Sequence, residues 1–391
     1  MIMNKNLLLL TLSQVFGFTA ATITVFLSGI IGSQITSIKS LSTLPTALYV
    51  VGTAIFTILA ARIMSKIGRR LGFIFAAFGS SAASLLCAFA ISQQNFILFC
   101  VSCLILGMGA AFNHQYRFAA AESVEKEKAP KAISILMLAG IVAAFLGITS
   151  ANYTKNLIPD YLYVGSYLLL AAFTFMPAIF LFFYKNNEKT KIDLNNKYSG
   201  RRLFEIIFQP RFLQATIAAA FAYAVMSFLM TATPLSMYVM EKMSLEKTGL
   251  VLQLHVAAMF LPSLITGHLI KKFGHSNIMY IGVLFFVVTI ILSLSEQTYT
   301  NYMVALIFLG FGWNFLFISG TSLVVLTYKE EEKFKAQGIN DLIVFTTMAL
   351  ASLSAGIVLS LSSWTTMNLI CIPFLVLIVY STFRADILSK K

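Results

Sequence analysis

Residues 61–73 read ARIMSKIGRRLGF, and this stretch places a cluster of positive charge between two long apolar runs. Four cations lie there within nine residues, although only 11% of the 391 residues are charged and 58% are hydrophobic. A soluble domain could not cover its surface with so few polar side chains. The composition therefore predicts an integral membrane protein that is surrounded by lipid.

The apolar runs are long enough to cross a bilayer. A hydrocarbon core of about 30 Å needs about 20 apolar residues per helix, and twelve runs reach that length. We therefore predict an all-α membrane protein with twelve transmembrane helices. The predicted spans are 7–31, 41–61, 71–92, 96–121, 132–153, 161–184, 212–239, 248–270, 277–295, 301–326, 337–361 and 365–384. The first run is too long for the apolar region of a signal peptide, so we interpret it as a membrane helix.

The distribution of cations predicts the orientation, because cytoplasmic loops carry an excess of Lys and Arg. With the N-terminus in the cytoplasm, 24 of the 28 Lys and Arg side chains fall on the cytoplasmic side. The remainder are Lys39, Lys155, Lys242 and Lys247. We expect both termini in the cytoplasm and the chain in a bacterial inner membrane. The cations form no continuous basic face, which argues against nucleic acid as a partner.

Three short segments of the first half recur in the second half. The pairs are ARIMSKIGRR at 61–70 with GHLIKKFGHS at 267–276, LGMG at 106–109 with LGFG at 309–312, and KA at 131–132 with KA at 335–336. Their offsets of 206, 203 and 204 residues are nearly constant. This predicts two parallel six-helix bundles, typical of transporters with a solute site between the halves.

The longest polar stretch separates the two predicted bundles. We predict an N-terminal bundle at 1–184, a cytoplasmic linker at 185–210 and a C-terminal bundle at 211–391. Within the linker, the stretch from Arg201 to Phe208 has the pattern of a short amphipathic helix.

Twelve spans, a central polar loop and a basic loop after span two resemble the major facilitator superfamily over nearly the whole chain. The segments GWNFLFISGT (312–321), TPLSM (233–237) and LQLHVAAMFLPSLITG (252–267) are similar to a poorly characterised bacterial branch of it. The loop motif of the family corresponds here to Ala61, Ser65, Lys66, Gly68, Arg69 and Arg70. The glycine and cations match, but Ser65 replaces an acid, which implies a weaker contact between the halves.

The resemblance implies a cytoplasmic gate formed by Ser65, Lys66, Gly68, Arg69, Arg70 and Glu122. In such a gate Glu122, at the end of span four, pairs with Arg69 or Arg70. Two departures leave the direction of transport open. Cys103 stands where many proton-driven members have an arginine, and Gly147–Ile148 stands where exchangers often have Gly-Pro.

Asp341 and His255 are the candidates for proton coupling, because a coupled transporter needs a titratable group within a span. Asp341 lies about 9 Å from the cytoplasmic end of span eleven, by helical rise. The alternative for Asp341 is a carboxylate favoured by the helix N-terminus. His255 lies about 11 Å below the external face, and the alternative is a hydrogen bond to a neighbouring helix.

Further polar and aromatic residues within the spans are candidates for the solute cavity. They are Gln14, Asn113, His114, Arg117, Gln253, Met259, Trp313, Asn314 and Asn340. Arg117 is either an anion-binding residue or a cation that reaches the membrane surface. Trp313 either packs in the core or stacks on a planar solute. His255, Met259, Ser263 and Thr266 form a stripe at helical spacing on span eight.

These residues together predict a secondary active transporter that takes up a small organic solute by alternating access, coupled to protons as a symporter. Efflux of drugs or metabolites on the same fold is an alternative, and a non-transporting receptor or scaffold is an alternative of another class. No motif for ATP binding, metal binding or nucleophilic catalysis is present, so we expect no enzyme activity and no cofactor. The family resemblance implies a monomer.

Overall fold

The computed structural model of the protein describes residues 3–125, 129–185, 201–329 and 332–388. All regular secondary structure in these ranges is helical. Eleven helical segments of the described residues, some of them made of two consecutive elements, are long and apolar enough to cross a membrane, and Leu245–Phe260 with Ser263–Phe273 makes a twelfth span if the bent pair is counted as one. Each predicted span matches one of these segments. The predicted all-α membrane fold is therefore confirmed.

The helices are numbered in chain order. The first eight are α1 Lys5–Gly17, α2 Thr19–Ile35, α3 Leu44–Ile67, α4 Arg69–Ser92, α5 Phe96–Asn113, α6 Tyr116–Glu122, α7 Ala129–Thr154 and α8 Val164–Phe182. The others are α9 Leu203–Ile207, α10 Pro210–Pro234, α11 Leu245–Phe260, α12 Ser263–Phe273, α13 His275–Ser293, α14 Tyr299–Val325, α15 Lys333–Leu361, α16 Trp364–Ile370 and α17 Ile372–Leu388. A 3₁₀ turn at Lys39–Leu41 and a π-helix at Leu235–Met240 complete the described elements.

The chain divides into two compact units. Unit 1 contains Met1–Ile192 and Thr231–Val256, and unit 2 contains Asp193–Met230 and Ala257–Lys391. Helices α10 and α11 are therefore each divided between the units. The predicted bundles at 1–184 and 211–391 were drawn along the sequence alone, and those boundaries stay a prediction.

The predicted helix in the linker is present as α9, which is shorter than the predicted range by two residues at its start and one at its end. The linker residues 186–200 lie outside the described part of the chain.

Span eight differs from its prediction as one continuous helix at 248–270. It breaks between α11 and α12 with a bend of 41°. Pro262 explains the break, because proline has no N–H to donate and its ring collides with the preceding turn.

Two glycines make the same turn at equivalent positions of the repeat. Gly68, between α3 and α4, has φ 84° and ψ 157°, and Gly274, between α12 and α13, has φ 83° and ψ 160°. These angles are open essentially only to glycine, because a Cβ atom would collide with the backbone. The identical joints support the parallel repeat, and they explain why a glycine stands between the cations of the basic loop.

In both units, many large apolar side chains are exposed and many polar side chains are buried, which is the reverse of the pattern in a soluble protein. Ile97, Phe75 and Val376 are 75%, 65% and 58% exposed, whereas Ser28 and Gln214 are fully buried. Polar groups find no water in a bilayer core and must bond within the protein, while apolar side chains are stable against lipid. This pattern agrees with a multi-pass membrane protein.

Candidate functional site

The predicted gate residues of unit 1 include a two-point ion pair. Arg69 Nε and Nη2 donate to Glu122 Oε2 and Oε1 at 2.8 and 2.7 Å. Arg69, one of the two arginines predicted from the sequence, is thus a partner of Glu122. Parallel bonds between guanidinium and carboxylate fix geometry as well as charge, so the pair ties the start of α4 to the end of α6.

The other predicted gate residues of the basic loop lie close to Arg69 in the sequence. Arg70 donates to the carbonyl of Phe182, and its guanidinium lies 5.1 Å from the centre of that ring. Lys66 is exposed at the end of α3. The side chain of Ser65 lies outside the described part of the structure. The role of these residues as a gate stays a prediction.

Four predicted cavity residues of unit 1 lie on α1 or at the end of α5 and the start of α6. Asn113 Nδ2 donates to the Gly17 carbonyl at 3.3 Å, at the junction between α1 and α2. His114 caps α5, and the Arg117 guanidinium lies 4.7 Å from the centre of the Phe118 ring. Gln14 Oε1 is buried on α1, with no hydrogen-bond partner among the described residues.

Two predicted residues lie on α11 and belong to unit 1. Gln253 is 6% exposed, and its Nε2 donates to Thr149 Oγ1 at 2.7 Å and to the Phe145 carbonyl at 3.4 Å. His255 is fully buried. Gln253 therefore joins α11 to α7 in this conformation, and the solute contact predicted for it stays a prediction.

Asn314 bridges the break in span eight within unit 2. Its Nδ2 donates to the Met259 carbonyl and to Ser263 Oγ, both at 2.7 Å. Its Oδ1 accepts from Thr266 Oγ1 at 2.6 Å. Both amide hydrogens of this fully buried side chain are thereby used inside the protein. The structure joins Asn314 to three members of the predicted stripe, whereas the fourth, His255, lies in unit 1.

Trp313 lies in an aromatic cluster of unit 2. The Phe317 ring is stacked on Trp313 at 5.0 Å, and Tyr223 meets both rings edge-on at 5.1 and 4.8 Å. Phe260 and Phe345 complete the cluster. Trp313 is 2% exposed, and its indole nitrogen has no hydrogen-bond partner among the described residues. Tyr223 and Phe317 are half-buried, so they and not Trp313 offer open ring surface.

Asp341 and Asn340 are neighbours in the sequence and lie about two turns from the start of α15. Asn340 Nδ2 donates to Asp341 Oδ1 at 3.2 Å, and Asn340 Oδ1 accepts from Thr216 Oγ1 at 3.0 Å. Asn340 is 4% exposed, whereas Asp341 is half-buried. The carboxylate is thus oriented through Asn340 by α10. The structure places the two candidates for proton coupling in different units, Asp341 in unit 2 and His255 in unit 1.

Two ion pairs among the described residues were not predicted from the sequence, and the first joins Arg201 to Glu332. Arg201 Nε and Nη2 donate to Glu332 Oε1 and Oε2 at 2.8 and 2.6 Å, and the Glu332 side chain is fully buried. Arg201 holds the pKa of the Glu332 carboxyl well below its ordinary value, chiefly through these hydrogen bonds. The pair ties the end of the linker to the start of α15. Glu332 is one of three successive glutamates, and no sequence signal distinguishes it from its neighbours.

Replacing Glu332 with Gln is expected to lower the free energy of unfolding by about 3 kcal/mol, because it leaves a cation without its buried partner. A carboxyl with a lowered pKa stabilises the fold above its unfolded pKa and loses this contribution as the pH falls. The difference in melting temperature should therefore be present at pH 7 and shrink below about pH 4.5. Thermal unfolding in detergent measures it, with the exposed Glu246→Gln as control. Equal melting temperatures at pH 7 would contradict this role.

A second polar group lies at the predicted cytoplasmic end of unit 2. Arg211 Nη1 donates to Asp386 Oδ1 at 2.8 Å, and Ser276 Oγ donates to the same oxygen at 2.7 Å. Ser276 occupies the position that the repeat pairs with Arg70. The basic loop of the first half and the segment that repeats it in the second half thus both lie at charged contacts between helices, but the partners differ.

The sequence profile described as Major Facilitator Superfamily matches residues 7–261 and also 215–387. The chain belongs to this superfamily. The resemblance seen in the basic loop is thereby confirmed, and the protein is a membrane transporter of a small solute, not an enzyme. The two matches overlap and together span nearly the whole chain.

Two relatives that match over most of their length are also transporters by name. The chain is 36% identical to the riboflavin transporter RfnT of Brucella anthropi over 376 residues, which is 96% of this chain and 94% of that protein. It is 27% identical to the uncharacterised transporter YddS of Bacillus subtilis, over 93% of this chain and 87% of that one.

Two solved structures share the fold. The nucleoside transporter NupG aligns over 98% of this chain and 99% of its own with a TM-score of 0.73 and 14% identity. A bacterial homologue of the lysosomal transporter Spinster, in an inward-facing and occupied conformation, aligns over 97% and 96% with a TM-score of 0.74 and 13% identity. At these identities the likeness concerns the fold alone.

Proposed function

We propose that this transporter takes up a flat heteroaromatic solute of the riboflavin type across a bacterial inner membrane, coupled to protons. The observation that carries the proposal is the 36% identity, over 96% of the chain, to a riboflavin transporter. The match is spread over the whole length, so it includes the spans that would line the solute path as well as the loops.

The aromatic cluster of unit 2 supports a planar solute. Riboflavin has a flat three-ring system, which stacks well on aromatic side chains. Tyr223 and Phe317 present half-buried rings from α10 and α14, and Trp313 lies behind them and holds their orientation through edge and face contacts. We assign the ring contact to Tyr223 and Phe317, and a supporting role to Trp313.

Asp341 is the proposed proton-coupling group, with His255 as the second candidate. Asp341 is half-buried within a span, and Asn340 positions its carboxylate. Placing a charged carboxylate inside a membrane costs free energy unless the charge is paired. Such groups are therefore rare in spans and are typical of proton pathways. In this proposal both termini and the Arg69–Glu122 pair face the cytoplasm, where that pair acts as part of the gate, and the protein works as a monomer.

Riboflavin uptake by whole cells tests the function. A bacterial host that cannot synthesise riboflavin should grow at low external riboflavin when it expresses the protein, and it should accumulate labelled riboflavin. A protonophore should abolish the accumulation. The control is the same host with an empty vector, with membrane insertion checked by immunoblot. Absence of growth despite normal insertion would contradict the proposal, and accelerated loss of preloaded riboflavin would assign efflux instead.

A further inference from the structure

Helix α9 belongs to the linker and has no part in the transport function proposed above. Its five residues, Leu203–Ile207, are anchored in unit 2 by Ile206, which is fully buried. At 3.6 residues per turn, Phe204 and Phe208 lie on the opposite face of the helix. They are 71% and 66% exposed, and their rings are stacked with centroids 6.3 Å apart. One face of α9 is therefore packed in the protein, while an apolar face points away from it.

The chain just before α9 is held by residues at the end of α14 and the start of α15. Arg201 donates to both carboxylate oxygens of the buried Glu332 side chain at 2.8 and 2.6 Å, and to the Thr327 carbonyl at 3.1 Å. Lys335 Nζ donates to the Arg201 carbonyl at 3.1 Å. All of these residues belong to unit 2. Because bidentate charged bonds fix geometry, the phenylalanine pair is presented in a defined direction.

The two rings lie next to the beginning of a membrane span. Helix α10 begins at Pro210, and it is the start of a segment long and apolar enough to cross a bilayer. Three peptide units join Ile207 to Pro210, so the end of α9 lies within about 10 Å of the start of this segment. The headgroup layer on each side of the hydrocarbon core is about 5 to 8 Å thick. An amphipathic helix so close to a span is at the right depth to lie in the membrane surface.

The charge of the linker fits a surface of anionic lipid. Residues 185–211 contain seven Lys and Arg against three acids, and Arg202 is exposed two positions before Phe204. Such clusters of cations beside a span attract anionic headgroups. A soluble protein fits the same face poorly. Two phenyl rings expose roughly 300 Å² here, whereas a stable protein interface buries about 800 Å² on each partner.

We propose that α9 is an interfacial anchor, in which the Phe204–Phe208 pair inserts between lipid headgroups and acyl chains and Arg202 binds the phosphates of anionic phospholipids. The lipid is that of the leaflet at the predicted cytoplasmic ends of the spans. Arg201 and Glu332 join this anchor to α15. The inference rests on the membrane fold of unit 2 and is independent of the solute, so failure of riboflavin uptake would leave it intact.

Fluorescence of the full-length protein in lipid vesicles tests the insertion. A single cysteine replaces Phe208, or Lys329 in the exposed loop after α14 as control, and carries a fluorophore that is bright in apolar surroundings. Alanine first replaces the free, buried cysteines, which are Cys87, Cys100, Cys103 and Cys371. Lipids with a nitroxide on the upper acyl chain should quench the label at position 208 at least about twofold more than aqueous iodide does, and the order should be reversed at position 329.

The accessibility of position 208 also separates the other possible occupants of this face. Stronger quenching by iodide than by the lipid nitroxide would mean that the face is open to water or to a soluble partner, and it would overturn the proposal. Protection from both quenchers would mean that another part of the chain covers the face, with the same consequence. Phe204→Ser should lower the lipid quenching at position 208, whereas Phe204→Leu, which stays apolar, should retain it.

The class of lipid is tested in vesicles of phosphatidylcholine with and without phosphatidylglycerol. The anionic lipid should increase the quenching of the label at position 208 by the lipid nitroxide. Arg202→Gln should remove about half of this increase, and Arg202→Lys, which keeps the charge, should retain it. Thermal unfolding in detergent checks that both variants are folded. Equal quenching in the two kinds of vesicle, or an equal response of the two variants, would overturn the assignment of anionic lipid to Arg202.

Discussion

Uphill accumulation of riboflavin is expected to stop when Asp341 is replaced by asparagine, while exchange of riboflavin across the membrane continues. Asparagine has nearly the same shape and keeps an oxygen that can accept the bond from Asn340, but it cannot bind and release a proton. Coupling needs a group that changes charge during the cycle, whereas exchange needs only an intact solute site. The loss of accumulation should be complete in proteoliposomes with an imposed proton gradient.

The control for this prediction is Asp341→Glu, which keeps a titratable carboxyl at the same position and should retain part of the uphill transport. His255→Gln provides the comparison with the second coupling candidate. If Asp341→Asn accumulates riboflavin to the level of the unaltered protein, Asp341 is not the coupling group. If both Asp341→Asn and His255→Gln do so, coupling does not pass through either residue.

Removing the open aromatic rings is expected to weaken binding of a flavin strongly. Stacking on an aromatic side chain contributes about 1.5 kcal/mol, so Tyr223→Ala and Phe317→Ala should each bind riboflavin about tenfold more weakly, and the double variant about 100-fold. Flavin fluorescence, which is quenched on stacking, measures the affinity for the purified protein. Trp313→Phe should weaken binding less, because Trp313 supports the two rings without open surface of its own.

The matched control for the aromatic prediction lies on the same helix. Phe311 is also half-buried on α14, but it belongs to a separate group of rings with Phe285. Phe311→Ala should therefore leave the affinity for riboflavin unchanged. Equal weakening by Phe311→Ala and Phe317→Ala would mean that loss of packing, rather than loss of stacking on the solute, causes the effect.

The spans could be predicted because the length of an apolar run depends only on local sequence. The thickness of the bilayer sets the minimum length of an apolar run that can cross it, and all twelve runs reach that length. The repeat was visible for a similar reason, since the joint at Gly68 and Gly274 demands a glycine in both halves. The break at Pro262 did not follow from the apolar run of span eight, because hydropathy does not register a broken helix.

The roles of single polar residues could not be predicted, because they depend on how each helix is rotated. Asn314 was predicted as a candidate for the solute cavity, and in the structure both of its amide hydrogens are used at the break in span eight. Likewise, the pair Arg201–Glu332 joins residues 131 positions apart, and only the folded chain selects one glutamate out of three. The pairing of Glu122 with one of two arginines was predictable because it came from the family motif.

Counterflow with the purified protein tests the central claim most directly. Proteoliposomes preloaded with unlabelled riboflavin are diluted into labelled riboflavin, with no proton gradient and no other protein present. The account predicts transient accumulation of label that a hundredfold excess of external riboflavin abolishes and that is strongly reduced in the Tyr223→Ala, Phe317→Ala double variant. Label that enters no faster than into protein-free liposomes, from protein shown to be folded, would contradict it.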